Sequence, residues 1–185
     1  MEGIFPISLN PYLASLADVS YSDDTKRSIV NDTRIVIDLD KFATSKKKLC
    51  GSEQMASFDA FHIDKANKQY LLEFKDQPPK NINSNEIQKK VVCSTALLLL
   101  FYQQDTTYKE FSANTSLFVI FKDDENENSF YRLPSEMKKW IEPNPAKREE
   151  PLLFEFSSEY KSSFKEIHTI PESIFKKDYF PYIFE

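Results

Sequence analysis

The chain has 185 residues, a formal net charge of −5 and 41% hydrophobic residues, values that are ordinary for one globular domain. Its two glycines exclude Gly-rich phosphate-binding loops, and its two cysteines, with no Cys/His cluster, argue against a zinc site. No N-terminal signal sequence is visible, and the apolar run at residues 91–101 is too short to span a bilayer. We therefore expect a cytoplasmic protein that does not contact membranes.

The acidic net charge bears on possible partners. A negatively charged protein repels nucleic acid unless basic side chains cluster locally. Three groups of lysines, at residues 46–48, 89–90 and 138–139, are candidates for such a patch. Solvated faces are the simpler interpretation of each group taken alone. The charge therefore argues against a strong, non-specific DNA-binding protein.

The N-terminal quarter of the chain allows more than one assignment. Residues 1–22 mix prolines with apolar residues, which predicts a short strand or turn and then the start of a helix. Residues 22–24 (SDD) are typical of a helix N-cap and predict a helix that runs to about Phe42. Residues 34–39 (RIVIDL) fit a strand equally well, because periodicity over so short a run does not separate the two.

A β-hairpin follows. Residues 58–63 (FDAFHI) and 70–75 (YLLEFK) have the composition of its two strands. A three-residue loop that ends at Asn67 suits the break between them, because Asn tolerates the left-handed backbone that such loops need. That loop sets a register in which Asp59 lies opposite Glu73, with Cβ atoms about 4.5–5.5 Å apart. A loop one residue longer or shorter would move Asp59 to the other face of the sheet.

Asp59, Glu73 and Lys75 are charged residues in strands that otherwise have the composition of a core. A charge in such a strand is costly unless it is paired, solvated or bound to a metal. Two facing carboxylates repel each other unless a cation lies between them, and oxygen ligands suit Mg²⁺ or Mn²⁺. Lys75 shares the face of Glu73, where it is suited to orient a metal-activated water or to stabilise charge on a phosphate. The alternative is a surface ion pair on an edge hairpin.

An acid on one strand and acid-x-Lys on the next resemble the signature of the PD-(D/E)XK nuclease superfamily, carried here by Asp59 and by Glu73-x-Lys75. The resemblance covers roughly residues 57–121. It implies that Asp59 and Glu73 are metal ligands, that Lys75 is the catalytic lysine, and that a helix and another strand follow the hairpin. Many members also carry a glutamate on an upstream helix, for which the nearest candidate in this chain is Glu53.

The expected helix has a clear start. The prolines at residues 78–79 end the second hairpin strand, and Asn83 or Ser84 is then suited to cap a helix with Glu86 in its first turn. Residues 91–101 are apolar almost all round, so this half of the helix should be deeply buried against the sheet.

The polar first turns of the same helix hold further candidates. In the resembling fold this helix often contributes a Gln or Lys near the site, which makes Gln88, Lys89 and Lys90 candidate secondary residues. The alternative is that they are surface residues whose apolar stems lie along the protein while their polar ends reach water.

The remaining elements are predicted from composition and turn residues. The predictions are a buried strand at residues 116–121, an exposed acidic loop at 122–128, a short helix around Trp140, strands at 152–156 and 164–170, and a terminal helix or turn from Pro171.

Together these elements predict one α/β domain over residues 1–185, with a central mixed β-sheet flanked by helices and a restriction-endonuclease-like core. Residues from about 143 to 185 would form a C-terminal extension packed on that core. The resemblance implies a Mg²⁺- or Mn²⁺-dependent nuclease whose partner is nucleic acid. The alternatives are a catalytically inactive PD-(D/E)XK-like binding module, such as an inhibitor or immunity-type partner of a basic protein, and a structural domain whose hairpin charges are solvated.

Overall fold

A computed structural model of the chain describes residues 7–46, 55–102, 107–123, 152–154, 156 and 164–184. The strands are β1 (Leu13–Ser15), β2 (Tyr21–Ser22), β3 (Arg27–Ser28), β4 (Ile35–Asp38), β5 (Ala60–Ile63), β6 (Gln69–Lys75), β7 (Thr115–Phe121) and β8 (Glu166–Pro171). The helices are α1 (Leu16–Val19), α2 (Leu39–Ser45), α3 (Ser84–Tyr102), α4 (Tyr108–Asn114), α5 (Glu172–Ile174) and α6 (Phe180–Phe184). A π-helical turn (Phe175–Tyr179) joins α5 to α6, and 3-10 turns span Ile7–Tyr12 and Pro79–Asn81.

Six strands form one mixed sheet in the order β1-β4-β5-β6-β7-β8, while β2 and β3 pair separately. The neighbours from β1 to β6 are antiparallel, and β6, β7 and β8 are parallel. All seven residues of β7 are buried, as expected for a central strand of a sheet covered on both faces. The predictions of a mixed sheet and of a buried strand at residues 116–121 are therefore confirmed.

Each face of the sheet carries its own apolar core. On one face Phe61, Leu71 and Val119 pack with Ile87 and Leu98 of α3. On the other face the buried side chains come from alternate positions of the same strands and from the C-terminal helical segment; they are Tyr70, Leu72, Phe118, Ile120, Phe175 and Ile183. The chain is therefore an α/β protein with helices on both sides of the sheet.

The predicted helix from Ser22 to about Phe42 is wrong, and the strand alternative is correct for most of residues 34–39. Val36 and Ile37 of β4 are fully buried, and the strand pairs with β1 on one side and β5 on the other. Helix α2 begins only after β4, where the side chain of Asp38 accepts a hydrogen bond from the Lys41 N–H at 2.8 Å. Pairing with distant strands outweighed the local capping signal.

The predicted strand at residues 152–156 is also not formed in its described part. Phe154 has a φ of 63°, a left-handed value that a strand does not accommodate. The Leu153 N–H donates to the hydroxyl of Thr169 at 2.9 Å instead of to a neighbouring strand. The bend places the Phe154 ring in the core, edge-on to Phe121. By contrast, the predicted strand at 164–170 is confirmed as β8, and helical structure does follow Pro171.

Helix α3 begins where predicted, since the side chain of Asn83 accepts a hydrogen bond from the Asn85 N–H at 3.0 Å. Its apolar half is less buried than predicted, because Val92 is 53% exposed and Leu100 is 59% exposed. A helix that lies on a sheet buries only the side facing the strands, so apolar residues on its outer side remain accessible. Within the described parts of the chain, no helix has both the length and the apolar character needed to cross a membrane.

Several predictions concern residues that the structure does not describe. They are Glu53, the lysines at positions 47, 48, 138 and 139, the acidic loop from residue 124 onward, the helix around Trp140, and the start of the C-terminal extension near residue 143.

Candidate active site

The hairpin has the predicted loop and register. Asn67 ends the loop with a φ of 61°, and the Asp64 N–H donates to the Lys68 carbonyl at 3.0 Å to close it. Ala60 pairs with Leu72, and the three following pairs keep the same register. Continuing that register by one residue sets Asp59 opposite Glu73, as the loop length predicted.

Asp59 and the residue before it are held by three different segments of the chain. Its Oδ2 accepts a hydrogen bond from the Phe74 N–H at 2.6 Å. Its own carbonyl accepts from the Leu39 N–H at 3.1 Å, at the start of α2. The preceding residue is fixed as well, because the Phe58 N–H donates to the hydroxyl of Ser94 on α3 at 2.7 Å. The carboxylate of Asp59 is therefore positioned by the sheet and by both neighbouring helices.

Glu73 is the most deeply buried charged residue of the site, with a fully buried side chain. Its Oε1 accepts hydrogen bonds from two ammonium groups, that of Lys90 at 2.7 Å and that of Lys75 at 3.1 Å. Its Oε2 is also buried and has no hydrogen-bond partner among the described residues. One oxygen is thus doubly neutralised, while the other retains unused lone pairs.

Lys75 links the buried acid to the surface. Its ammonium lies 3.1 Å from Glu73 Oε1 and 2.7 Å from Oε1 of Glu86, whose side chain is half exposed. Burial lowers the pKa of Lys75, but the attraction of Glu73 and the hydrogen bond to Glu86 outweigh burial and raise that pKa overall. Lys75 therefore keeps its positive charge at the mouth of the site.

Lys90 lies between the two acids. Its ammonium is 2.7 Å from Glu73 Oε1 and 3.7 Å from Asp59 Oδ1, and only 15% of the side chain is exposed. Burial lowers the pKa of Lys90, and the charges of Glu73 and Asp59 raise it by more, so the net shift is upward. Its position four residues after Glu86 puts both side chains on the same face of α3.

Of the three candidate secondary residues on α3, the structure brings only Lys90 to the carboxylates. The side-chain amide of Gln88 donates to the carbonyl of Phe154 at 3.2 Å, which ties the helix to the segment that carries Phe154. Lys89 is exposed to solvent. Successive residues of a helix are rotated by about 100°, so a run of three polar residues cannot face one site together.

Asp40 is the residue that the sequence reasoning missed. It lies in the first turn of α2, where its carboxylate accepts a hydrogen bond from the hydroxyl of Ser57, two residues before Asp59. Its negative charge acts on both Asp59 and Lys90 and raises the pKa of each. No signal in the sequence pointed to it, because this stretch was predicted to be the end of a longer helix.

The carboxyl groups of Asp59 and Glu73 have raised pKa values. Burial raises the pKa of Asp59 well above its usual range, and the charge of Glu73 raises it further, while Lys90 lowers it. Burial likewise raises the pKa of Glu73, against the lowering by Lys90 and Lys75. Removing charges from water is costly, and the two lysines offset this cost only in part.

The donor set fits a small hard cation. Among the described residues no group of three or more His, Cys, Asp and Glu side chains is arranged to hold a metal ion. Mg²⁺, however, commonly takes one or two carboxylates and completes its shell with water and substrate oxygens. Asp59 and Glu73 supply two carboxylates, and the buried, unpartnered Oε2 of Glu73 is an acceptor of the kind that such an ion binds.

Comparisons of this chain with models of protein families, with curated proteins and with solved structures give no match.

Proposed function

We propose that this chain is a divalent-metal-dependent nuclease with a restriction-endonuclease-like core. The observation that carries the proposal is the hairpin register, which continued by one residue sets Asp59 opposite Glu73. Beside this pair lies Lys75, whose ammonium is 3.1 Å from the Glu73 carboxylate. A pair of buried carboxylates is costly to the fold, and a cation-binding role accounts for it.

Each side chain has a distinct role in this proposal. Asp59 and Glu73 would hold Mg²⁺ or Mn²⁺, which when bound supplies Lewis-acid activation of water and neutralises phosphate charge. Lys75 stabilises negative charge that develops on the phosphate, and Glu86 keeps its ammonium directed toward the site through the 2.7 Å contact. The raised pKa of Lys75 keeps it cationic at neutral pH, as electrostatic stabilisation requires.

The position of the site in the sheet supports the proposal. Asp59, Glu73 and Lys75 lie where β6 ends, and β7 runs parallel beside β6 and ends at the same edge. Ligands of open α/β sheets commonly bind outside the carboxyl ends of parallel strands. An extended nucleic-acid strand could approach this edge.

A second candidate function is a catalytically inactive module that binds a protein. The observation that favours it is the ammonium of Lys90, which already contacts both carboxylates and neutralises the pair without a metal. In that case the acidic chain would bind a basic partner, such as a toxin or nuclease that it inhibits.

A cleavage assay separates the two candidates. Labelled single- and double-stranded DNA and RNA are incubated with the protein in Mg²⁺, in Mn²⁺ and in EDTA. We expect cleavage that requires metal and that falls by about 100-fold or more in the Lys75→Ala and Glu73→Gln proteins, because each removes a group acting on the transition state.

The matched control is Lys65→Ala, an exposed lysine in the loop at the opposite end of the hairpin, which should cleave like the parent protein. Full cleavage by the Lys75→Ala protein would contradict the proposed mechanism. If a correctly folded protein cleaves none of the substrates under any of the metal conditions, the binding module is favoured.

A further inference from the structure

Lys90 occupies the space that a metal ion would need. A cation shared by Asp59 and Glu73 must contact oxygens of both carboxylates, and the Lys90 ammonium already does so, at 3.7 Å from Asp59 Oδ1 and 2.7 Å from Glu73 Oε1. A second cation at the same oxygens would face direct repulsion at short range, where little water lies between the charges.

We infer that Lys90 is a built-in counter-cation that a divalent metal must displace before the site can be loaded. The inference rests on the proposed function, because it concerns the same pair of carboxylates. It adds a constraint on metal binding. The affinity for metal reflects the difference in free energy between the carboxylate pair with a divalent ion bound and the same pair with the Lys90 ammonium bound.

The geometry makes Lys90 the displaceable group of the two lysines. Lys75 has a second carboxylate partner, Glu86, at 2.7 Å. It therefore stays at the mouth of the site whether or not a metal ion binds Glu73. Lys90 reaches the pair from α3 on a flexible four-carbon stem. Asp40, whose negative charge attracts Lys90, gives the displaced ammonium a neighbouring anion.

The fully buried Oε2 of Glu73 gives the metal a starting point. It has no hydrogen-bond partner in the described parts of the chain, so an ion that first binds at this oxygen breaks no hydrogen bond of Oε2. The position shared with Asp59 becomes available only when Lys90 leaves. Leaving this oxygen unpaired has a cost in free energy, and a bound cation would remove that cost. Lys90 thus neutralises the carboxylate pair but leaves Oε2 of Glu73 without a partner. A divalent ion would also bind this oxygen.

The test measures Mn²⁺ binding directly and does not depend on cleavage. Free Mn²⁺ is quantified by electron paramagnetic resonance while the protein is titrated, for the parent chain and for Lys90→Met. This substitution keeps an unbranched side chain, one atom shorter, and removes its charge. We expect the Lys90→Met protein to bind Mn²⁺ about tenfold more tightly or better, since tenfold corresponds to only 1.4 kcal/mol.

Three further variants control the interpretation. Lys89→Met makes the same substitution at the exposed neighbouring position and should bind like the parent. Lys90→Arg keeps the charge and should also bind weakly. Glu73→Gln added to Lys90→Met should lose the tight binding, which would locate the ion at this pair.

Thermal unfolding in EDTA and in excess Mn²⁺ covers the case in which Lys90→Met folds poorly. Removing Lys90 leaves a buried carboxylate pair without its main counter-charge, so the variant should melt below the parent in EDTA. Mn²⁺ should then raise its melting temperature by more than it raises that of the parent, because tighter binding to the native state stabilises more. A variant that stays unfolded in excess Mn²⁺ would overturn the inference.

The outcomes distinguish the inference from the function on which it rests. One outcome is that the parent binds Mn²⁺, that Glu73→Gln abolishes this binding, and that Lys90→Met binds Mn²⁺ equally or more weakly. This result would overturn the counter-cation role and would still support the metal site. No Mn²⁺ binding by any variant would overturn both. Tighter binding restricted to Lys90→Met would support the inference.

Discussion

The hydroxyl of Ser94 accepts a hydrogen bond from the backbone N–H of Phe58 at 2.7 Å, and both residues are fully buried. This contact joins α3 to the residue before Asp59. Lys90, which faces Asp59, lies one helical turn before Ser94 on the same helix. A hydrogen bond outside the site itself therefore joins the helix that carries Lys90 to the segment that carries Asp59.

Replacing Ser94 by Ala should lower the free energy of unfolding by about 1–3 kcal/mol, because the buried Phe58 N–H loses its acceptor. We also expect weaker Mn²⁺ binding, since Phe58, the residue before Asp59, loses a positioning contact. Urea denaturation measures the first effect, and the Mn²⁺ titration described above measures the second.

The neighbouring residue gives a matched control. Thr95 is buried too, but its hydroxyl has no hydrogen-bond partner in the described parts of the chain. Thr95→Val keeps the shape of the side chain and removes only the unpaired hydroxyl, so stability should be unchanged or higher. If Ser94→Ala were as stable as Thr95→Val, the Phe58 contact would contribute nothing.

His62 should make the protein sensitive to acid. The side chain lies on the face of the sheet opposite Asp59, buried between the rings of Tyr70 and Phe184. Burial lowers its pKa to about 4, although the charge of Asp64 acts in the opposite direction. Because the unfolded chain binds a proton more readily than the native protein, stability should fall as the pH drops from about 6.5 towards 4.

The expected loss between pH 7 and pH 5 is about 2 kcal/mol in the free energy of unfolding. Urea denaturation at several pH values measures it. The His62→Gln protein has no titrating group at this position and should show a shallower dependence on pH over the same range. The same slope in both proteins would assign the acid sensitivity to other groups.

The hairpin loop should depend on the backbone preference of Asn67. At a φ of 61° an alanine is strained, whereas glycine is not. Asn67→Ala should therefore lower the free energy of unfolding by about 1 kcal/mol, and Asn67→Gly should leave it unchanged within a few tenths. Urea denaturation of the two variants checks this. A more stable Ala variant would mean that the loop takes another conformation in solution.

Local features of the sequence were enough to predict the centre of the fold. The left-handed tendency of Asn67 and the alternation along two nearby strands determine the hairpin register, and with it the facing of Asp59 and Glu73. The cap at Asn83 likewise depends on neighbouring residues only. Such signals act over a few residues, so they can be read without knowing the rest of the structure.

Tertiary contacts decided what the carboxylates face. Whether Gln88, Lys89 or Lys90 reaches Asp59 depends on the rotation of α3 about its axis, which packing against the sheet determines. Asp40 enters the site only because β4 pairs with both β1 and β5 and ends at α2. The sequence by itself thus determined that two acids and a lysine share one face of a hairpin. Only long-range packing decided that a second lysine lies between the acids, because burial in a shared core depends on residues far apart in the chain.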